Sequence, residues 1–375
     1  MDTASILRRF PLVPRPRPPC TLLTERAGRI SDLATTAAQD GDLAAASVVF
    51  NQAALLASDC GLAVLARQWC RRHTQVYLRH CPLDPKSARY ALEPLVNLAR
   101  LHIRDGNGDA ACTLLDTLYQ AIRDRADTVI DDIPVPASRL TTTAADLHAV
   151  RTWLWTVLLA DSPRALISAG RWNDALAHLE RHHGIGQRML DGRQVAVIAR
   201  YLAGDTAGAL TILTGTVIAE TWEEIVSSCL TMLLTPGQSR SVVRRTAVLD
   251  AYRRLGSAPE LAVFMTRLGL SVIDALGGVA GNDGQITARD LITRVIGWRD
   301  GYAARDLLTH PGCRALLTVD EEHDLTHITS TCALGAGSIP ARIEDQVIAA
   351  LDTAEKTISH RGERSSTDPV TLMLD

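Results

Sequence analysis

Aromatic side chains supply only 4% of this 375-residue chain, although hydrophobic residues make up 46% of it. The apolar content is therefore mainly Ala, Leu and Val, which favours helices packed closely through small side chains, and the expected class is all-α. Lysine is nearly missing as well. Lys86 and Lys356 stand alone among the cations, and the remainder are arginines, as a GC-rich coding sequence produces. A net charge of −3 and a pI near 6.4 exclude a global attraction to nucleic acid or to an anionic membrane surface. No run approaches the ~18 apolar residues of a membrane span. Cys20, Cys60, Cys70, Cys81, Cys112, Cys229, Cys313 and Cys332 form no CxxC pair and sit in apolar helical patterns, as suits a reducing cytosol. Arg8 and Arg9 are followed by "FPLVPRPRPP" where a signal peptide would need an unbroken apolar stretch, so the expected location is cytoplasmic. No nucleophile elbow, kinase signature or P-loop occurs.

What is present is a succession of helices broken by short Gly/Asp turns. Residues 1–24, with "PLVPRPRPP" at 11–19, favour extended polyproline conformation and read as a flexible arm that could enter a partner's groove. Helical patterns run over 25–276, with a Pro-containing loop at 127–144 and an interruption at "TPGQSRS", 235–241. The segment "GGVAGNDGQ", 277–285, opens a C-terminal helical region that reaches 359, and 360–375 reads as a flexible tail.

The stretch "RDGNGDAACTLLDTL" alternates Asp105, Asn107 and Asp109 with glycines, like the start of a calcium loop. Such a loop needs Gly at its sixth position and Glu at its twelfth, where this chain has Ala110 and Asp116. A repeat gives a better account. Gly41 is followed by Ala46, Phe50 and Ala53, and Gly106 by Ala111, Leu115 and Leu118, each set on one helix face. The same register gives Ala66, Cys70 and His73 after Gly61, and Ala175, Leu179 and His182 after Gly170. It gives Ala209, Leu213 and Thr216 after Gly204, and Leu261, Met265 and Leu268 after Gly256. Leu33-Ala34 and Leu98-Ala99 place small residues on the preceding helix where the next must approach.

These residues resemble tetratricopeptide repeats (TPRs), in which a small residue late in helix A, a turn glycine and an Ala-large-Ala face on helix B define the unit. The match is best at 33–53 and 98–118 and looser at 160–182, 196–216 and 248–268. It is degenerate, since of the glycine intervals only Gly170 to Gly204, 34 residues, has the usual repeat length. The resemblance implies a TPR-like helical-hairpin array, an α-solenoid, with a C-terminal helical extension. It also implies a concave surface lined by helix A that holds a peptide or partner protein. Carried onto this sequence, that surface takes Asn97, Arg100, Arg104, Asp161, Arg164, Gln194, Tyr201 and Arg253, while the first copy offers only Ser31, Thr35 and Gln39. Arginine there suits carboxylates, which it binds bidentately.

Other constellations read as structural. "HDLTH" sets His323 and His327 at i and i+4, but Asp324 stands where a zinc protease has its Glu; Glu344 is the imaginable third ligand. His178 and His182 share that spacing without a third ligand. "HGIGQRML" lacks a GxGxxG pattern, and "GNDGQITARDLI" reads as a turn capped by Asp283 or Thr287. Trp153 and Trp155 read as core. Neither a metal nor a cofactor is expected. In overall texture the chain is similar to TPR-like proteins of high-GC bacteria associated with biosynthesis of modified peptides, lanthipeptides among them. That similarity implies an accessory subunit presenting a precursor peptide to separate enzymes. An enzyme using "HDLTH" or an unrecognised site, and a peptide-sensing regulator, are the alternatives; the oligomeric state stays open.

Overall fold

The computed structural model describes residues 6, 7, 9–235 and 242–367, the last seven of these as backbone. Among them the chain is all-α apart from one small hairpin, with seventeen helices. In order these are α1 (Leu23–Asp40), α2 (Leu43–Asp59), α3 (Ala63–Leu78), α4 (Pro85–Arg104), α5 (Gly108–Asp124) and α6 (Ala144–Ser168). Then come α7 (Trp172–Arg181), α8 (Asp191–Leu202), α9 (Thr206–Thr214), α10 (Thr221–Leu234), α11 (Val242–Leu255) and α12 (Ala262–Ala275). The last five are α13 (Asn282–Trp298), α14 (Gly301–Leu308), α15 (Pro311–Arg314), α16 (Val319–Thr331) and α17 (Ala341–Thr367). Strands β1 (Thr128–Ile130) and β2 (Ile133–Val135) pair antiparallel, Thr128 opposite Val135, within the segment expected to be a loop.

The recurring glycines are the punctuation. Gly41, Gly61, Gly106, Gly170, Gly204 and Gly256 all have φ between 64° and 87°, the left-handed conformation that ends a helix and favours glycine. After Gly41, Gly106 and Gly204 the next residue donates its N–H back across the turn, Asp42 to Ala37, Asn107 to His102 and Asp205 to Arg200, at 2.8–3.0 Å. The same Asp or Asn then turns its side chain to the next helix. Asp42 accepts from Ala44 and Ala45, Asn107 from Ala110 and Asp205 from Gly208. The "DGNGD" stretch is such a turn, stopping α4 and starting α5. The faces predicted after these glycines are mostly inward: Ala46, Phe50, Ala53, Ala66, Cys70, His73, Ala111, Leu115, Leu118, Ala175, Leu179, Ala209, Leu213, Met265 and Leu268 are buried, while His182, Thr216 and Leu261 are half-buried.

The domain boundaries differ from those expected. The chain divides into two compact units, A (residues 23–165 and 335–375) and B (residues 1–22 and 166–334). In unit A, α17 runs along α1, α2 and α3, burying Val347, Ala350, Leu351, Ala354 and Ile358 on one stripe. Arg72 of α3 donates to Asp352 and Glu355 on its outer side, 2.6 Å to each. The helix continues to Thr367, past the expected start of the tail; 368–375 lie outside the described residues, as do 236–241 of the expected interruption.

In unit B, α12, α13, α14 and α16 enclose a core that includes Leu270, Ile273, Leu291, Ile292, Val295, Leu307 and Leu325. The arm belongs to this unit. Its backbone is non-helical from Phe10 to Leu22, as the prolines dictate. It is packed, however, because its own apolar residues Leu7, Phe10, Leu12 and Cys20 are buried. Neither Asp283 nor Thr287 caps α13: Gly281 is the N-cap, Asp283 pairs with Arg245, and Thr287 bonds back to the Asp283 carbonyl.

Candidate partner-binding face

Helix α4 is apolar and buried at Leu92, Leu95, Leu98 and Ala99, which turns a polar stripe of Glu93, Asn97, Arg100 and Arg104 away from that core. The stripe is bonded from end to end. Asn51 of α2 donates to Glu93 and accepts from Asn97, both at 3.1 Å, and Arg100 donates to Asn97 at 3.0 Å. Arg100 also sends Nε and Nη2 to Asp161 Oδ2 at 3.2 and 2.8 Å, and Arg164 lies 3.9 Å from the other oxygen. Arg104 donates through Nη1 to Ser58 Oγ and Asp59 Oδ1, while Arg26 of α1 holds Asp59 Oδ2 at 2.6 Å.

The carboxylates are inside and the guanidiniums outside. The side chains of Asp59 and Asp161 are only 3% and 5% exposed, those of Arg104 and Arg100 38% and 47%. Each acid meets two cations, which compensates the cost of taking it out of water. Arg104 makes no hydrogen bond through Nε or Nη2 among the described residues, and its side chain is more than a third exposed. A guanidinium braced from behind retains less freedom to lose on gripping an external carboxylate.

Asn97, Arg100, Arg104, Asp161 and Arg164 are thus brought together in unit A, and the other three expected residues belong to unit B. Gln194 is fully buried and is a correction: it does not line an open surface. Its Nε2 donates to the carbonyls of Leu12 and Met189, and its Oε1 accepts the Leu12 N–H at 2.7 Å. Tyr201 is half-buried near the end of α8, and Arg253 is exposed, donating to Asp250 one turn away. Missing from the sequence-based set are Arg26, Asn51, Ser58 and Asp59, which come from α1 and α2. A signal existed in α2, where Asn51, Gln52, Ser58 and Asp59 interrupt an otherwise apolar helix after Ser47.

The other candidates have surroundings of their own. His323 and His327 are exposed on α16 with rings stacked 6.5 Å apart, behind a capping box of Thr318 and Glu321; Glu344 belongs to unit A. Trp153 and Trp155 are half-buried rather than core, and Trp153 stacks under Arg89 at 5.3 Å. What fold and face define together is a class, helical hairpins carrying an arginine-rich polar stripe. Beyond the class, no family model, curated protein or solved structure matches the chain.

Proposed function

We propose that the chain is a TPR-like adaptor that binds a peptide or partner protein through the α4 stripe of unit A. The observation that carries this reading is the pair Arg100 and Arg104, one turn apart, each fixed from behind by a buried aspartate while its outer side stays in water. Such a pair suits two carboxylates of an extended acidic segment, and Asn97 and Asn51 add amide groups beside it. The groups this face offers, guanidiniums and amides, are those that bind carboxylates and peptide backbone, which supports presentation as its role. In a peptide-modifying system this would be an accessory subunit that displays an acidic precursor segment to separate enzymes.

The test is an anisotropy titration of labelled peptides, one carrying Asp/Glu pairs and one with the acids replaced by Lys. The acidic peptide should bind more weakly as salt rises, and Arg100→Lys with Arg104→Lys should weaken it about tenfold, since lysine keeps charge but loses the fork. Equal binding of both peptides, or of parent and variant at low salt, would overturn the assignment.

A further inference from the structure

Residues 13–19, "VPRPRPP", are pinned at both ends by main-chain contacts within unit B. On one side Leu12 donates its N–H to Gln194 Oε1 and its carbonyl accepts from Gln194 Nε2, at 2.7 and 2.8 Å. On the other, the Cys20 N–H goes to Asp300 Oδ2 and its carbonyl accepts from Gly301 N–H, both at 2.8 Å. Val13 beside the first anchor is half-buried, and from Pro14 to Cys20 burial has a period of three. Pro14, Arg17 and Cys20 face the unit; Arg15, Pro16, Pro18 and Pro19 are exposed. That is the period of a polyproline II helix, three residues per turn, with one edge seated and two edges outward. The covalent chemistry agrees. Proline fixes φ at 14, 16, 18 and 19, and residues 13, 15, 17 and 18, each preceding a proline, are driven to extended backbone.

The seated edge is held by specific contacts, with the Arg17 guanidinium 4.0 Å from the centre of the Tyr302 ring. On an outward edge, Arg15 folds back to Asp191 at 2.7 Å, which leaves the prolines as the most prominent feature of the segment. Pro16 and Pro19 lie one turn apart, as P-x-x-P.

We propose that residues 13–19 are a scaffolded polyproline ligand, displayed for a partner domain whose groove is lined by parallel aromatic rings. Such grooves take prolines spaced by three from the outer edges of this helix and need no backbone donors from the ligand. The anchors at Leu12 and Cys20 remove the freedom a free peptide would lose, so the whole chain binds more tightly than the excised segment. The inference is independent of the α4 stripe, which lies in the other unit and selects acidic rather than proline-rich ligands.

The experiment titrates the full-length chain into two polyproline-reading probes, an SH3-type and a WW-type domain, following the probes' groove tryptophan fluorescence. The expected result is saturable binding to at least one probe, tighter than for a synthetic peptide of residues 12–20. Pro16→Ala with Pro19→Ala, on the exposed edge, should weaken it about tenfold, and Pro14→Ala, on the seated edge, by no more than about twofold. Circular dichroism melts confirm that each variant is folded, as the exposure of Pro16 and Pro19 leads one to expect. Binding to neither probe, or binding indifferent to Pro16 and Pro19, would overturn the proposal.

Discussion

The imidazole of His73 lies flat on the ring of Phe50, centroids 4.8 Å apart and planes 11° from parallel. Burial pushes the pKa of His73 down to about 3, and its Nε2 has no hydrogen-bond partner among the described residues. The unfolded chain takes a proton at this residue below about pH 6.5, whereas the folded chain stays neutral until about pH 3. The unfolded state therefore binds more protons across that window, and stability falls as pH drops through it.

Between pH 6.5 and 5 this residue alone should cost on the order of 1 kcal/mol, read as a shift in the urea midpoint. His73→Gln, which cannot titrate, should lose that share of the pH dependence. Asp274 does not confuse the window. Burial alone would raise its pKa, but the His310 hydrogen bond and the Arg9 charge hold it below the usual carboxylate range, so its loss comes at lower pH. Identical pH profiles for parent and variant would show that the imidazole is not held neutral inside.

Phe50 itself supplies the second prediction. It is 1% exposed, and truncation leaves a cavity against His73 between α2 and α3. Phe50→Ala should destabilise the protein by about 3–5 kcal/mol in chemical denaturation. A loss under about 1 kcal/mol would mean that the site collapses freely or is not packed as described.

Helices, turns and inward faces were legible in the sequence because glycine conformation and apolar period are local properties. Gly106 and Asn107 specify their turn with no help from distant residues. The destination of the two chain ends was not legible. Proline content forbids helix in the arm, yet nothing local says that Leu12 will meet Gln194, 182 residues away. For the candidate face, the stripe Asn97, Arg100 and Arg104 followed from helical spacing, while its bracing by Asp59 and Asp161 depends on which helices become neighbours. Gln194 was misassigned for the same reason: an offset along a helix gives a direction, not what covers it.

Gln194→Ala removes both partners of the Leu12 backbone and leaves a buried N–H and carbonyl unmet. The expected loss is about 2–4 kcal/mol, because an unsatisfied buried group costs more than a made bond gains. Hydrogen exchange should show the Leu12 amide opening faster, with the amides of α2 and α3 following only the global loss. Unchanged stability would sever the link between the arm and α8.

Thiol reactivity reports the packing within each unit. Desolvation pushes Cys60 up to about 11 and both Cys70 and Cys313 up to about 12, far above the pH of ordinary labelling. Six of the eight cysteines are buried, with Cys81 and Cys112 partly exposed. At pH 8 a disulfide reagent should label at most those two rapidly, and all eight once denaturant is added. Fast labelling of Cys60 or Cys70 in the native protein would contradict the packing of α2 on α3.

The last prediction separates the two cations on Asp59. Arg26 is almost as buried as the carboxylate it holds, 8% against 3%, whereas Arg104 is more than a third exposed. Asp59→Asn takes from the buried Arg26 guanidinium the carboxylate that holds it at 2.6 Å, and should cost about 3 kcal/mol. Arg104→Ala leaves Asp59 still paired with Arg26 and removes an interaction weakened by solvent, so about 1 kcal/mol is expected. In the double variant the losses should sum to less than the two singles, since Arg104 has little to hold once the carboxylate is neutral. If Arg104→Ala proves the more damaging change, Arg104 is a structural member of the core, and its outward donors are not the binding feature assigned to them. If instead it is the milder change and also weakens acidic-peptide binding, then Asp59 serves to orient Arg104 while Arg26 keeps the interior electrically balanced.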